Sequence, residues 1–137
     1  MVVSGLCAWM TAGLRPEPLS AAPPATEVTL RGDVEAAGFE VVDTARARRI
    51  AETGSHLILD ARPREQFAGG HLPGAVSLPI VDFEQTLPEV LPLLSSGLPL
   101  MVYCTGPRCD EALRLAIRLE EAGFPGAAVY VDGMMGG

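Results

Sequence analysis

An α/β fold built on a mainly parallel sheet is predicted by three features of the 137-residue chain. From about residue 39 onward, short apolar runs alternate with segments of helical periodicity. The two clearest runs, HLILD and LPLMVYC, read as buried strands, the kind a parallel sheet covered on both faces contains. Residues 111–122 form a helix apolar over so much of its circumference that it must lie against a sheet. The length suits one domain with one core and one site.

The opening VVSGLCAWMTAGL, Val2 to Leu14, carries no charge, but its 13 residues fall short of the roughly 20 that span a bilayer. It has no basic n-region and no clear cleavage site, which argues against a signal peptide. A docking helix and the cut end of a longer membrane segment are the two readings that fit. RPEPLSAAPPAT then reads as an extended linker. Residues 1–26 are therefore assigned to this segment and linker, and 27–137 to the folded domain, whose first element begins between Glu27 and Phe39.

Within the domain, FEVV is a strand, and Asp43 or Thr44 caps a helix that runs to about Thr53. HLILD is a strand ending at Asp60. A short helical piece starts at Pro63, where proline suits the first turn. GHLPGAVSLP holds a turn and a brief strand. Asp82 caps the next helix, which Pro88 and Pro92 should keep irregular. After Gly97 comes the strand LPLMVYC. In the helix over 111–122, Glu111, Arg114, Arg118 and Glu121 share one face, and Leu113, Leu115, Ala116, Ile117 and Leu119 cover the rest. Gly123 ends it, and AAVYV gives a last strand before the glycine-rich VDGMMGG.

A formal charge of −7 argues against a nucleic-acid partner, because phosphate binding needs Lys and Arg to displace counterions. Arg46, Arg48 and Arg49 form a basic cluster, but their helical spacing reads as a solvated helix face. Three cysteines, at 7, 104 and 109, make no disulfide framework, so a reducing, cytoplasmic location is expected, with membrane association through the N-terminal segment as the alternative. No metal site is expected either. Cys104 and Cys109 lack a CxxC pair, and His56 and His71 lie far back in the sequence.

The candidate site is VYCTGPRCDEA, Val102 to Ala112. In parallel α/β sheets, ligands bind beyond the carboxyl ends of strands, where loops lead into helices. Cys104 stands at such a point, facing the amino terminus of the following helix, whose N–H groups and dipole favour a thiolate. Thr105, Gly106, Arg108, Cys109, Asp110 and Glu111 can each offer an N–H to a ring around that sulfur; Pro107 cannot. A buried strand-end thiol with no chemistry is the competing reading. Arg108, the loop's single cation, either binds an anionic donor or is simply solvated.

LILDARPREQFAGGHLPGAVSLP resembles the first signature of the rhodanese family: an acidic strand end with DxR, an aromatic, then GHIPGA and a small strand. MVYCTGPRCDEALRLAIRLEEAGFPGAAVYVDGM resembles the second: a strand ending in YC, an active-site loop, a helix ending AGF, and a strand leading to GGM. The resemblance covers about residues 40–135 in order and spacing. It implies a three-layer fold with a five-stranded, mainly parallel sheet flanked by helices, and no cofactor. It also implies sulfur transfer through a persulfide on Cys104, from a small sulfur donor or a protein persulfide to a thiol or cyanide. Thr105, Gly106, Pro107, Arg108, Cys109, Asp110 and Glu111 would form the substrate loop. Asp60, Arg62, His71 and Gly74 match framework positions near the site.

The sequence departs from the family pattern in five respects. About two extra residues separate Cys104 from the helix body, and the arginine follows the cysteine by four residues instead of five. Asp110 and Glu111 weaken the positive field that would draw a divalent anion such as thiosulfate, so a persulfide donor is expected to serve better. Cys109 is a second thiol, read as one that resolves an oxidised Cys104 or as a small residue filling the helix's first turn. The usual tryptophan and final helix after GGM are missing from the sequence. A phosphatase loop, HCxxxxxR, is not matched, because Tyr103 replaces the histidine and Arg108 comes two residues early. A sulfurtransferase is the expected function. A non-catalytic or redox-regulatory module that binds a protein partner, with a membrane tether upstream of Arg15, is the alternative.

Overall fold

The computed structural model describes residues 30–136; the apolar opening segment, the linker, Cys7 and Trp9 lie outside them. Five strands form one sheet: β1 (Glu40–Val42), β2 (Leu57–Asp60), β3 (Val76–Ser77), β4 (Leu100–Tyr103) and β5 (Ala128–Tyr130). The order across the sheet is β1-β5-β4-β2-β3, and every adjacent pair is parallel. Helices α1 (Leu30–Ala36), α2 (Thr44–Thr53), α3 (Arg64–Ala68), α4 (Phe83–Leu94), α5 (Glu111–Glu121) and α6 (Gly133–Gly136) accompany it, and a 3-10 turn at Ile80–Asp82 leads into α4.

The two-residue period of β4 sorts the core into two layers. Leu100, Val102 and Cys104 face one way and pack with Leu30 and Val34 of α1, Phe83, Val90 and Leu94 of α4, and Leu115 and Leu119 of α5. Met101 and Tyr103 face the other way and pack with Ala47 and Ile50 of α2. Register carries the same sorting across the sheet. Asp60 is the Cα partner of Tyr103, so both side chains emerge on the α2 face at the sheet's carboxyl edge. Cys104, one residue further, turns towards α5.

Helix α2 begins and ends where its sequence says it should. Asp43 accepts a hydrogen bond from Arg46 N at 2.8 Å, and Gly54, at φ 68°, gives its N–H to Ile50 O. The cluster of arginines lies on its outer side, where Arg48 and Arg49 are exposed and Arg46 pairs with Glu40.

Helix α4 corrects an expectation. It runs unbroken for 12 residues through Pro88 and Pro92, and the Asp82 side chain makes no capping hydrogen bond. The prolines are four apart and both exposed, whereas Phe83, Thr86, Val90 and Leu94 are buried. Each proline removes a hydrogen bond on the wet side, where water can serve the freed carbonyl, and packing of the opposite face offsets the loss. In α5, Leu115, Ala116 and Leu119 are buried as expected, Ala112 is buried too, Leu113 is half-buried and Ile117 is exposed.

Two short helices carry weak sequence signals. α1, LRGDVEA, contains a glycine and only two buried residues, Leu30 and Val34. α6, GMMG, is a single turn. Neither is long enough to be stable alone. Both are held by hydrogen bonds to the loop that follows β4, which is their importance here.

Candidate active site

The chain leaves β4 at Tyr103 and enters α5 at Glu111, and the loop between is gripped from outside. Leu30 N at the start of α1 donates to Pro107 O at 2.9 Å. Met134 N and Met135 N of α6 donate to Cys104 O and Thr105 O at 3.2 and 3.1 Å. Within the loop, Cys109 N donates to Gly106 O at 3.0 Å, closing a tight turn. Carbonyls committed to α1 and α6 leave N–H groups of the same segment to point inwards, which makes a nest for negative charge.

Two sulfurs divide that nest. Backbone N–H groups of Gly106 and Ala112 act on Cys104 Sγ, and those of Thr105 and Glu111 act on Cys109 Sγ. The sequence pointed to one ring around Cys104. The Cys109 N–H is instead spent on Gly106 O, and the first turn of α5 also serves Cys109.

The thiols differ sharply in exposure and acidity. Cys104 is 1% exposed. Its S–H can be given to Cys109 O, 3.0 Å away, or to the Cys109 sulfur. That second hydrogen bond, then burial, pushes the Cys104 thiol well up, against the expectation of a lowered value. Cys109 is half-buried, and accepting the Cys104 S–H pulls its thiol down to about 7, helped by the Thr105 and Glu111 N–H groups. Its own S–H, when present, lies 3.5 Å from Glu111 Oε1. Above pH 7 Cys109 is therefore mostly thiolate, and below it protonated. Alkylation by iodoacetamide should rise at Cys109 with a midpoint near pH 7, while Cys104 reacts far more slowly. Peptide mapping that found Cys104 the faster thiol at pH 7 would contradict this assignment.

Beside the loop is an open cavity of about 310 Å³ lined by Thr105, Gly106, Pro107, Arg108, Cys109 and Met135. Cys104 is not part of its lining. Met135 is 73% exposed and lies over Gly106, where an added Cβ would come within 2.4 Å of its sulfur. The remaining loop acids face solvent or neighbours: Asp110 Oδ1 pairs with Arg114 Nε at 3.4 Å.

Gly133 is the closest approach of α6 to the loop. Its φ is 55°, and a Cβ there would sit 2.2 Å from Cys104 O, a backbone atom that cannot swing aside. Gly133→Ala should cost about 2–3 kcal/mol from positive φ and overpacking together. Urea unfolding that showed no loss would mean α6 does not hold the loop.

The framework residues fall into two groups. Asp60 is fully buried and accepts from Arg62 N at 2.9 Å, Arg62 Nε at 3.0 Å, Arg62 Nη2 at 2.8 Å and Tyr103 Oη at 2.8 Å. Arg62 Nη2 also donates to Gly70 O at 2.6 Å, and Tyr103 Oη accepts from Leu72 N at 3.0 Å. The Asp60 hydrogen bond raises the Arg62 pKa, and burial raises that of Tyr103. This network fixes the strand end from which Cys104 departs. His71, by contrast, is exposed, stacked on Phe67 with ring centroids 3.8 Å apart, and its Nδ1 lies 3.0 Å from Phe67 O. Gly74 adopts φ 81° in a turn with nothing near its missing Cβ, so backbone conformation alone selects glycine there.

Three contributors were not singled out from the sequence: the Tyr103 hydroxyl, Gly133 and Met135. Tyr103 carries a readable signal, since it adjoins Cys104 and must face the opposite side of the sheet. Gly133 lies in the VDGM that ends the second signature, but nothing local shows that it and Met135 reach back across nearly 30 positions of sequence to Cys104 and Gly106.

Fold and loop together define the class: a parallel α/β domain with a thiol cradled where a central strand turns into a helix. The sequence model of the rhodanese-like domain matches residues 43–136, and the chain belongs to that family. The HTH-type transcriptional regulator Rv0324 of Mycobacterium tuberculosis is 31% identical over 87 residues, which are 61% of this chain and 37% of the regulator. The chain thus matches well under half of that relative's length. Among solved structures, the BH2092 protein of Bacillus halodurans shares the fold at a TM-score of 0.61 and 24% identity, over 76% of this chain and 74% of that one. The human single-domain sulfurtransferase TSTD1 shares it at a TM-score of 0.57 and 24% identity, over 72% of this chain and 95% of that one.

Proposed function

We propose that this domain is a sulfurtransferase that carries a sulfane sulfur as a persulfide on Cys104. The observation that carries the reading is the place of Cys104, just past the carboxyl end of β4 in a loop that α1 and α6 brace and that leads into α5, with the Gly106 and Ala112 N–H groups acting to lower its thiol pKa. Such donors favour an anionic sulfur, and a persulfide is anionic at a lower pH than a thiol. In loading, a Cys104–sulfur bond forms to the outer sulfur of a donor R–S–SH, the R–S bond to that sulfur breaks, and RS⁻ leaves and takes a proton. In unloading, a thiolate or cyanide attacks the outer sulfur and Cys104 returns to thiolate. Asp110 and Glu111 at the loop's edge disfavour thiosulfate and leave a persulfide as the better donor.

Loading the protein with glutathione persulfide, then alkylating and mapping peptides by mass spectrometry, should place one additional sulfur atom on Cys104. Absence of any sulfane sulfur there, with persulfide and thiosulfate donors alike, would overturn the proposal. A regulatory module that binds a partner protein is the second reading. It is favoured by the near-complete burial of Cys104 and by the likeness to a transcriptional regulator. Among the described residues no helix is long and apolar enough to cross a membrane.

A further inference from the structure

We propose that sulfur reaches Cys104 through Cys109: a donor in the cavity beside the loop first persulfidates Cys109, which hands its outer sulfur inward to Cys104. The inference rests on the sulfurtransferase reading and specifies the route of loading.

Access is the first ground. Cys104 is 1% exposed and does not line the cavity, whereas Cys109 is half-buried and does. A tripeptide or protein persulfide must bring its outer sulfur to the attacking thiolate, and of these two thiols it is Cys109 that meets the cavity. The cavity wall is formed by Gly106, Pro107 and Met135, with Arg108 as its cation, which suits a donor with an aliphatic stem and a carboxylate.

Proximity is the second ground. Cys104 Sγ lies 3.0 Å from the carbonyl oxygen of Cys109, so the two residues are in direct contact across the loop. Transfer between them therefore needs no large movement of the loop.

The chemistry balances without an oxidant. In the first step Cys109–S⁻ attacks the outer sulfur of R–S–SH, giving Cys109–S–SH and RS⁻, which is protonated by solvent. In the second, the Cys104 sulfur attacks the outer sulfur of Cys109–S–SH; the Cys109–sulfur bond breaks, and Cys109 leaves as thiolate and takes up the proton that Cys104 loses. Thiol–disulfide exchange runs faster when the leaving thiol is the more acidic partner. Cys109, the lowered thiol, is therefore the better leaving group for inward transfer, and Cys104, whose thiol is raised, must pass its proton on as it attacks. Each sulfur also has its own pair of N–H donors, so the anion is stabilised at either end of the transfer.

The test is a quenched time course with substoichiometric glutathione persulfide, alkylated and mapped at both cysteines. In the wild type, sulfane sulfur should appear on Cys109 first and move to Cys104. In Cys104→Ser, Cys109 should still load and retain the sulfur. In Cys109→Ser, loading of Cys104 should slow by at least about tenfold, the order expected when a buried thiol must be reached directly. Immediate labelling of Cys104 with none on Cys109, or loading of Cys104 at the wild-type rate in Cys109→Ser, would overturn the relay while leaving the sulfurtransferase reading intact. A Cys104–Cys109 disulfide with release of sulfide would also overturn it, since Cys109 would then have attacked the inner sulfur. Absence of sulfane sulfur from both cysteines would remove the sulfurtransferase reading itself.

Discussion

Cys104→Ser is expected to abolish steady-state sulfur transfer with every donor, a fall of at least about 10³-fold, while leaving the fold within about 1 kcal/mol of wild type. The stability part follows from the packing. Serine is smaller than cysteine by little, and its hydroxyl can donate to Cys109 O as the thiol does across 3.0 Å. The activity part follows from chemistry, because an alkoxide is inaccessible at neutral pH and an oxygen cannot hold the transferred sulfur in exchangeable form. The same variant separates chemistry from binding. Cys109 remains able to load in it, so a stoichiometric burst without turnover is the expected signature, read by rapid quench beside the steady-state assay. Undiminished turnover in Cys104→Ser would transfer the carrier role to Cys109.

The position of Cys104 was legible because three local signals meet there. An apolar run without alternation, a Gly-Pro pair and a charged helix start allow few arrangements other than strand, loop and helix. Period two then decides which face the cysteine takes. The order of acidity between the two thiols was not legible, since it depends on whose N–H groups remain after the loop's turn is closed. Cys109 N goes to Gly106 O, and the carbonyls of Cys104, Thr105 and Pro107 go to α6 and α1. Those helices are short and rich in glycine for their length, so intrinsic propensity is silent about them and tertiary contact decides.

Helix α4 shows the converse limit. Pro88 and Pro92 are strong local signals for irregularity, yet they fall on the solvent side of a helix whose other side is buried. Proline's penalty is set by which carbonyl it strands and whether water can reach it. Sequence spacing does show the two prolines on one face, but only the packed structure shows that this face is wet.

Asp60→Ala should be the most destabilising single change in the framework, costing about 3–5 kcal/mol. Asp60 and Arg62 stand two residues apart in the DxR of the first signature, which marked both as framework residues. The third member, Tyr103, enters from another strand 43 positions away and was not so marked. Deleting the carboxylate leaves a guanidinium whose side chain is 8% exposed with Gly70 O as its remaining acceptor beside the Tyr103 ring, and it leaves the Tyr103 hydroxyl proton without its acceptor while Leu72 N still donates to the oxygen. Both groups then bear desolvation with only part of their hydrogen bonding kept. Asp60→Asn with Arg62→Met should recover much of the loss, because it removes both charges together and still offers the Tyr103 hydroxyl an acceptor. Urea denaturation of the single and double variants measures this, and a single-variant loss below about 1 kcal/mol would show that water relieves Arg62. Sulfur transfer should fall with Asp60→Ala even where the protein remains folded, since Tyr103 is the residue from which the Cys104 loop departs. Recovery of activity alongside stability in the double variant would identify the network as positioning the loop and exclude a role for the Asp60 carboxylate in proton transfer.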